Sequence, residues 1–195
     1  MGPRLRGDDR ECCIESRLHR CHVECGVSHP MNAHLRSGLI AAVAALVLDQ
    51  ASKLWLLFVF DIARRGAVQV TPFLDLVLAW NVGISFGWFQ SESPAAQIIL
   101  MLIKAVAVVV LAIWMARSRT LLATVALGLI IGGAIGNAID RFAYGAVVDF
   151  ALFHLQIGGK PFNWYVFNLA DVAIVAGVAA LLYDSFLGVP AAKAP

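Results

Sequence analysis

Residues 121–141 read LLATVALGLIIGGAIGNAIDR. Positions 121–139 carry no charged side chain. About 20 predominantly apolar residues in a helix cross the hydrocarbon core of a bilayer, so this stretch predicts a membrane span. Gly128, Gly132 and Gly136 fall four apart on one helix face. Such a stripe of small residues lets a second helix approach closely. The span then ends in Asn137, Asp140 and Arg141. Asn137 lies three and four positions before the two charged residues, so all three can face one way. They read either as an end cap with a local salt bridge or as part of a functional site, because polar groups at a membrane span need a reason.

The composition agrees. Of the 195 residues, 60% are hydrophobic and 14% charged, with mean hydropathy +0.78. A soluble domain is about 45–50% apolar and about 25% charged. A disordered chain, a nucleic-acid-binding tail protein and most soluble enzymes are thereby excluded. The net charge of +2 points to no nucleic-acid partner. Three further windows reach membrane length: about 38–60, interrupted by Asp49 and Lys53; about 95–116, containing Lys104; and about 164–183, with Asp171 near its start. The expected fold is an all-α membrane protein with four transmembrane helices and a small extracytoplasmic β element. Arg117-Ser118-Arg119-Thr120 is a tight turn between the second and third spans. The connections 61–94 and 140–163 then share the opposite side, and both termini lie with the turn. Arg36, Arg117, Arg119 and Lys193 on that side balance Arg64, Arg65, Arg141 and Lys160 on the other. Arg36 and the Arg117/Arg119 pair sit tight against span ends, which favours cytoplasmic termini.

The first outer connection is rich in β-branched and aromatic residues over about 67–90, with Asn81 and Gly83 breaking the run. It reads as a small β element at the outer surface. Trp80, Trp88 and Trp164 suit the interface.

Residues 1–30 differ in kind. They hold all four cysteines (Cys12, Cys13, Cys21, Cys25) and no apolar run of membrane length. The Cys/His spacing matches no established zinc finger. The segment reads as a disordered tail or, preferably, as sequence upstream of a true start at Met31. Residues 31–190 form the expected four-helix domain.

Each ionisable group inside a span needs explaining. Asp49 and Lys53 are four apart and can pair. Lys104 can snorkel or pair. Asp149, in Val147-Val148-Asp149-Phe150, has apolar neighbours and no adjacent base. Asp171 follows Asn168 by one helical turn. Two carboxylates near an apolar surface can share one proton, because like charges at short range resist joint ionisation. The ionised partner takes a proton from water and the protonated one polarises a carbonyl. Such a pair hydrolyses an amide with no metal, cofactor or cysteine. HExxH does not occur in the chain. Adjacent helix positions point about 100° apart, which argues against a Ser52/Lys53 dyad. The rivals are a small proton-coupled transporter, using Asp49, Lys53, Asp149 and Asp171 as a relay, and a non-catalytic assembly subunit.

Five blocks, in order between about residues 38 and 183, resemble the lipoprotein signal peptidases (signal peptidase II). They are Asp49-Gln50-Ala51-Ser52-Lys53, Asn81-Val82-Gly83-Ile84-Ser85-Phe86, the run from Gly132 to Arg141, Val147-Val148-Asp149-Phe150, and Phe167-Asn168-Leu169-Ala170-Asp171. The resemblance implies an aspartic endopeptidase of the bacterial inner membrane. It would cut prolipoproteins just before a cysteine bearing diacylglycerol, with Asp149 and Asp171 as the catalytic dyad. Asn81, Gly83, Asn137, Arg141 and Asn168 would position substrate or hold the dyad, and Asp49, Lys53 and Asp140 would support the site. A mobile outer stretch over the site and inhibition by the cyclic peptide globomycin are implied too. The blocks leave His154 to Tyr165 and the first 30 residues unexplained.

Overall fold

The computed structural model describes residues 33–82 and 94–187. Residues 1–30 with their cysteines, Gly83 to Phe86 of the block that begins at Asn81, Trp88 and Lys193 lie outside the described residues.

Helix α1 (Ala33–Leu54) runs into a π-helical turn, Trp55–Val59. A short α2 (Ile62–Arg65) and strands β1 (Val68–Thr71) and β2 (Leu74–Asn81) follow. Then come α3 (Pro94–Arg117), α4 (Leu121–Tyr144), β3 (Val147–Ile157), β4 (Lys160–Phe167) and α5 (Leu169–Leu187). Among the described residues three segments are long and apolar enough to cross a membrane: Ala33–Val59, Leu121–Tyr144 and Leu169–Phe186. The window expected at 95–116 is occupied by α3, a helix of 24 residues.

Thr120 starts α4 as its N-cap, its side-chain oxygen accepting the Ala123 N–H at 3.2 Å. Gly145, with φ 74°, ends it in the left-handed conformation that favours glycine. The glycine stripe packs on α1. A Cβ at Gly128 would collide with the Gly38 carbonyl, one at Gly132 with the Ala42 carbonyl, and one at Gly136 would lie 2.6 Å from the Asp49 carboxylate. Backbones this close are possible only between small residues. On the other flank, a Cβ at Gly133 would come 2.5 Å from the Ala170 carbonyl of α5. Outward side chains such as Ile40, Val43 and Val47 of α1 and Val175 and Leu182 of α5 are exposed, as lipid-facing residues are.

The four strands form one antiparallel sheet in the order β1-β2-β3-β4. A bulge in β2 between Leu76 and Ala79 resets the register, so that Ala79 faces Asp149 and Asn81 faces Val147. Leu56, Ile62, Phe150 and Ala151 form a small core that ties the π turn and α2 to the sheet.

Three sequence expectations change. The β element is larger than 67–90, because β3 and β4 from the second outer connection join it. The fourth span does not start at 164: residues up to Phe167 are strand, and α5 starts at Leu169. Asn168 is therefore the cap of that helix and not a residue inside it. The third span does not stop at 139 but continues to Tyr144, which places Asn137, Asp140 and Arg141 inside α4 and not at its end. The signal for β3 and β4 was present: two β-forming runs flank Gly158-Gly159. Both glycines have positive φ, 59° and 77°, as a two-residue hairpin turn requires.

Candidate active site

The end of α5 nearest the sheet is where the candidate residues meet. Asn168 and Asp171 cap α5 reciprocally. The Asp171 N–H donates to Asn168 Oδ1 at 3.0 Å, and the Asn168 N–H donates to Asp171 Oδ2 at 3.3 Å. Asp171 thus occupies the first turn of α5, where a helix dipole favours negative charge. Its other oxygen accepts from Asn137 Nδ2 at 2.9 Å.

Asp149 comes from β3 and is 3% exposed. Oδ1 accepts from Asn168 Nδ2 at 2.6 Å, and Oδ2 accepts from Asn81 Nδ2 at 3.1 Å. Burial pushes the Asp149 carboxyl up to about 6 from its ordinary 3.8; the amide hydrogen bonds oppose this and the nearby Asp171 charge adds to it. The sequence brings the two aspartates together from elements of different type.

Below them lies a buried charge cluster. Lys53 Nζ bonds Asp49 Oδ2 at 2.8 Å and Asp140 Oδ2 at 2.7 Å. Its third donor reaches Asn137 Oδ1 at 3.2 Å. An ammonium only donates, so this contact fixes the Asn137 amide: oxygen to Lys53, nitrogen to Asp171. Asn168 Nδ2 adds a further donor to Asn137 Oδ1 at 3.1 Å. The expected Asp49/Lys53 pair is present, and Asp140 makes it a triad. Ser52 turns away to donate to the Asp49 carbonyl at 2.7 Å, so it forms no dyad with Lys53.

Arg141 Nη1 donates to the Asn137 carbonyl at 3.3 Å. Its side chain lines a cavity of about 630 Å³ together with Asp149, Asp171, Asn81 and Asn137. Apolar side chains of α3, α4 and α5, including Val108, Leu111, Ile130 and Ile174, continue the lining. Lys104 lines it as well. Sequence reasoning missed Gln50, whose Nε2 donates to Asp140 Oδ1 at 2.9 Å and to Asp49 Oδ2 at 3.2 Å. Its place in the Asp49-to-Lys53 block was the available signal. Among the described residues no group of three or more His, Cys, Asp or Glu side chains is arranged to hold a metal ion.

Chemically, the arrangement presents two acids of unlike setting to one partly apolar cavity. One acid is buried and biased toward its protonated form, and the other sits at a helix N-terminus with two donors on it. That division suits hydrolysis by a carboxyl pair.

Known proteins resemble the chain in sequence and in fold. The family described as signal peptidase (SPase) II matches residues 41–187. The lipoprotein signal peptidase of Nitrobacter hamburgensis is 78% identical over 161 residues, covering 83% of this chain and 98% of that protein. That of Rhodopseudomonas palustris strain CGA009 is 71% identical over the same length and the same shares. A bacterial membrane enzyme solved by the in meso method superposes with a TM-score of 0.64 at 25% identity, covering 79% of this chain and 95% of its own. None of these matches favours the transporter reading. A family match over residues 41–187, five sequence blocks and relatives this near converge on one conclusion: the chain belongs to the signal peptidase II family.

Proposed function

We propose that the chain is an aspartic endopeptidase that removes the signal peptide from diacylglyceryl-modified prolipoproteins, cutting just before the lipidated cysteine. The observation that carries this reading is the pairing of Asp149 and Asp171 on one cavity, each held by asparagine amides. The Asp171 carboxylate takes a proton from a water whose oxygen attacks the scissile carbonyl carbon. Protonated Asp149 gives its proton to the carbonyl oxygen, forming a neutral gem-diol. Collapse returns a proton to Asp149, while Asp171 passes its proton to the leaving nitrogen and the C–N bond breaks. Both aspartates are then restored.

Asn81, Asn137 and Asn168 hold the dyad, Arg141 is the basic side chain in reach of substrate, and Asp49, Lys53 and Asp140 support them. No metal or cofactor takes part. In this reading α3 is the fourth span of a domain covering residues 31–190, residues 1–30 being an extension. The membrane is the bacterial inner membrane, with cytoplasmic termini and the dyad near the outer leaflet. The apolar lining of the cavity supports a substrate that arrives from lipid. Globomycin, a cyclic peptide, would compete for the same cavity.

The test is cleavage by purified protein of a lipid-modified prolipoprotein and of its unmodified precursor. The modified form should yield a signal peptide ending before the cysteine, and the unmodified form should stay intact. A folded protein that cuts neither contradicts the reading.

A further inference from the structure

The buried cluster beneath the dyad has two further contacts, both to main chain. Asp49 Oδ1 accepts the Ala170 N–H at 2.9 Å, and Asp140 Oδ2 accepts the Val148 N–H at 3.2 Å. Ala170 and Val148 are the residues immediately before Asp171 and Asp149. Each carboxylate of the cluster therefore grips the backbone next to one dyad residue. Lys53 and Gln50 join the two carboxylates to each other, by the ammonium bridge and by the Gln50 amide. Gln50 Nε2 also donates to the Gly136 carbonyl at 3.2 Å, tying α1 to α4 at the same level.

We infer that Asp49, Gln50, Lys53 and Asp140 form a spacer that fixes the separation of the two dyad carboxylates, and that Gln50 is a positioning residue for the reaction. The inference rests on the dyad proposed above. A buried, fully bonded ionic cluster resists deformation because any displacement leaves a charge uncompensated. The separation it sets governs two quantities: alignment of water and carbonyl between the carboxylates, and the coupling of their titrations. The other ionisable groups facing the dyad are Lys53 from α1, Lys104 from α3, Arg141 and Asp140 from α4 and Tyr165 from β4. A Gln50 substitution alters none of their charges.

The test compares pH–rate profiles of the full-length wild type, Gln50→Met and Gln50→Asn. With Met, kcat should fall about 10- to 100-fold and KM should stay within about twofold. Looser carboxylates couple less, so the two limbs of the bell should move toward each other. Asn keeps an amide on a shorter stem and should show a smaller shift of the same sign. Lost activity with both limbs unmoved would make the cluster a fold support only and overturn the spacer. So would unchanged kinetics, or failure of both variants to fold. If Asp149→Asn and Asp171→Asn remain active, the dyad itself falls; if they are dead while the Gln50 limbs stay fixed, only the spacer does.

Discussion

Asn168 donates its side-chain amide to Asp149 at 2.6 Å, across 19 residues of sequence and from the cap of one element to the first residues of another. The same side chain accepts the Asp171 N–H through its carbonyl oxygen. Helix capping and dyad assembly are thus one interaction set. Asn168→Ser separates them, because serine caps a helix about as well as asparagine but is too short to reach Asp149. With the cap kept, loss of the buried amide bonds should cost about 1–3 kcal/mol, while the rate falls about 10- to 100-fold. Asn168→Ala should lose the cap as well, at about 1 kcal/mol. A serine variant with wild-type turnover would mean that the bond to Asp149 is idle.

Asp149 makes stability depend on pH with an unusual sign for an aspartate. Its folded value, about 6, lies above its ordinary 3.8. The folded state therefore binds this proton more tightly than the unfolded state. The stabilisation is complete below the ordinary value and is lost as pH rises through about 6. Asp149→Asn removes that dependence. Measured as apparent Tm in detergent, the variant should gain on the wild type between pH 5 and pH 8. A constant difference across that range would show that the carboxyl does not titrate there.

Lys53 is 2% exposed and bonds two carboxylates, each no more than 1% exposed. Lys53→Met leaves both uncompensated. Breaking a buried ion pair from one side costs about 3–5 kcal/mol, so the variant should unfold at markedly lower temperature or denaturant. Lys53→Met combined with Asp140→Asn and Asp49→Asn should recover part of that loss, since no buried charge remains. If the single variant matches the wild type in thermal scans, the cluster is solvated and not buried.

At Gly132 two effects oppose. Alanine is the better helix former by about 1 kcal/mol. Its Cβ would, however, collide with the Ala42 main chain, a neighbour that cannot swing away. Overpacking of this kind costs about 1–3 kcal/mol, so the clash should win and Gly132→Ala should destabilise. A stabilised variant, read by thermal scan, would show that α1 and α4 do not approach this closely.

The glycine stripe, the Asp49/Lys53 pair and the two aspartates were legible because each follows from spacing on a single helix or from a charge with no neighbour to pay for it. What was not legible lies between segments. No periodicity announces that Asp140 completes an ion triad with Lys53, since the two come from different helices. Asn168 read as a residue inside the fourth span because the aromatic run before it is as apolar as a helix. The hairpin turn shows instead that Lys160–Phe167 is a strand, which leaves Asn168 at the junction. Short apolar runs are ambiguous between helix and strand, and here only Gly158-Gly159 separated the two. Gln50 escaped notice because two of its three partners, Asp140 and Gly136, are remote in sequence.

The most direct measurement is turnover of a lipid-modified prolipoprotein by purified wild type, Asp149→Asn and Asp171→Asn, with folding checked by thermal scan. Asparagine keeps the shape and removes the titratable carboxyl proton. Each variant should retain its fold and lose at least about 10³-fold in kcat. A folded variant at either position that cleaves within tenfold of the wild-type rate would contradict the two-carboxyl mechanism.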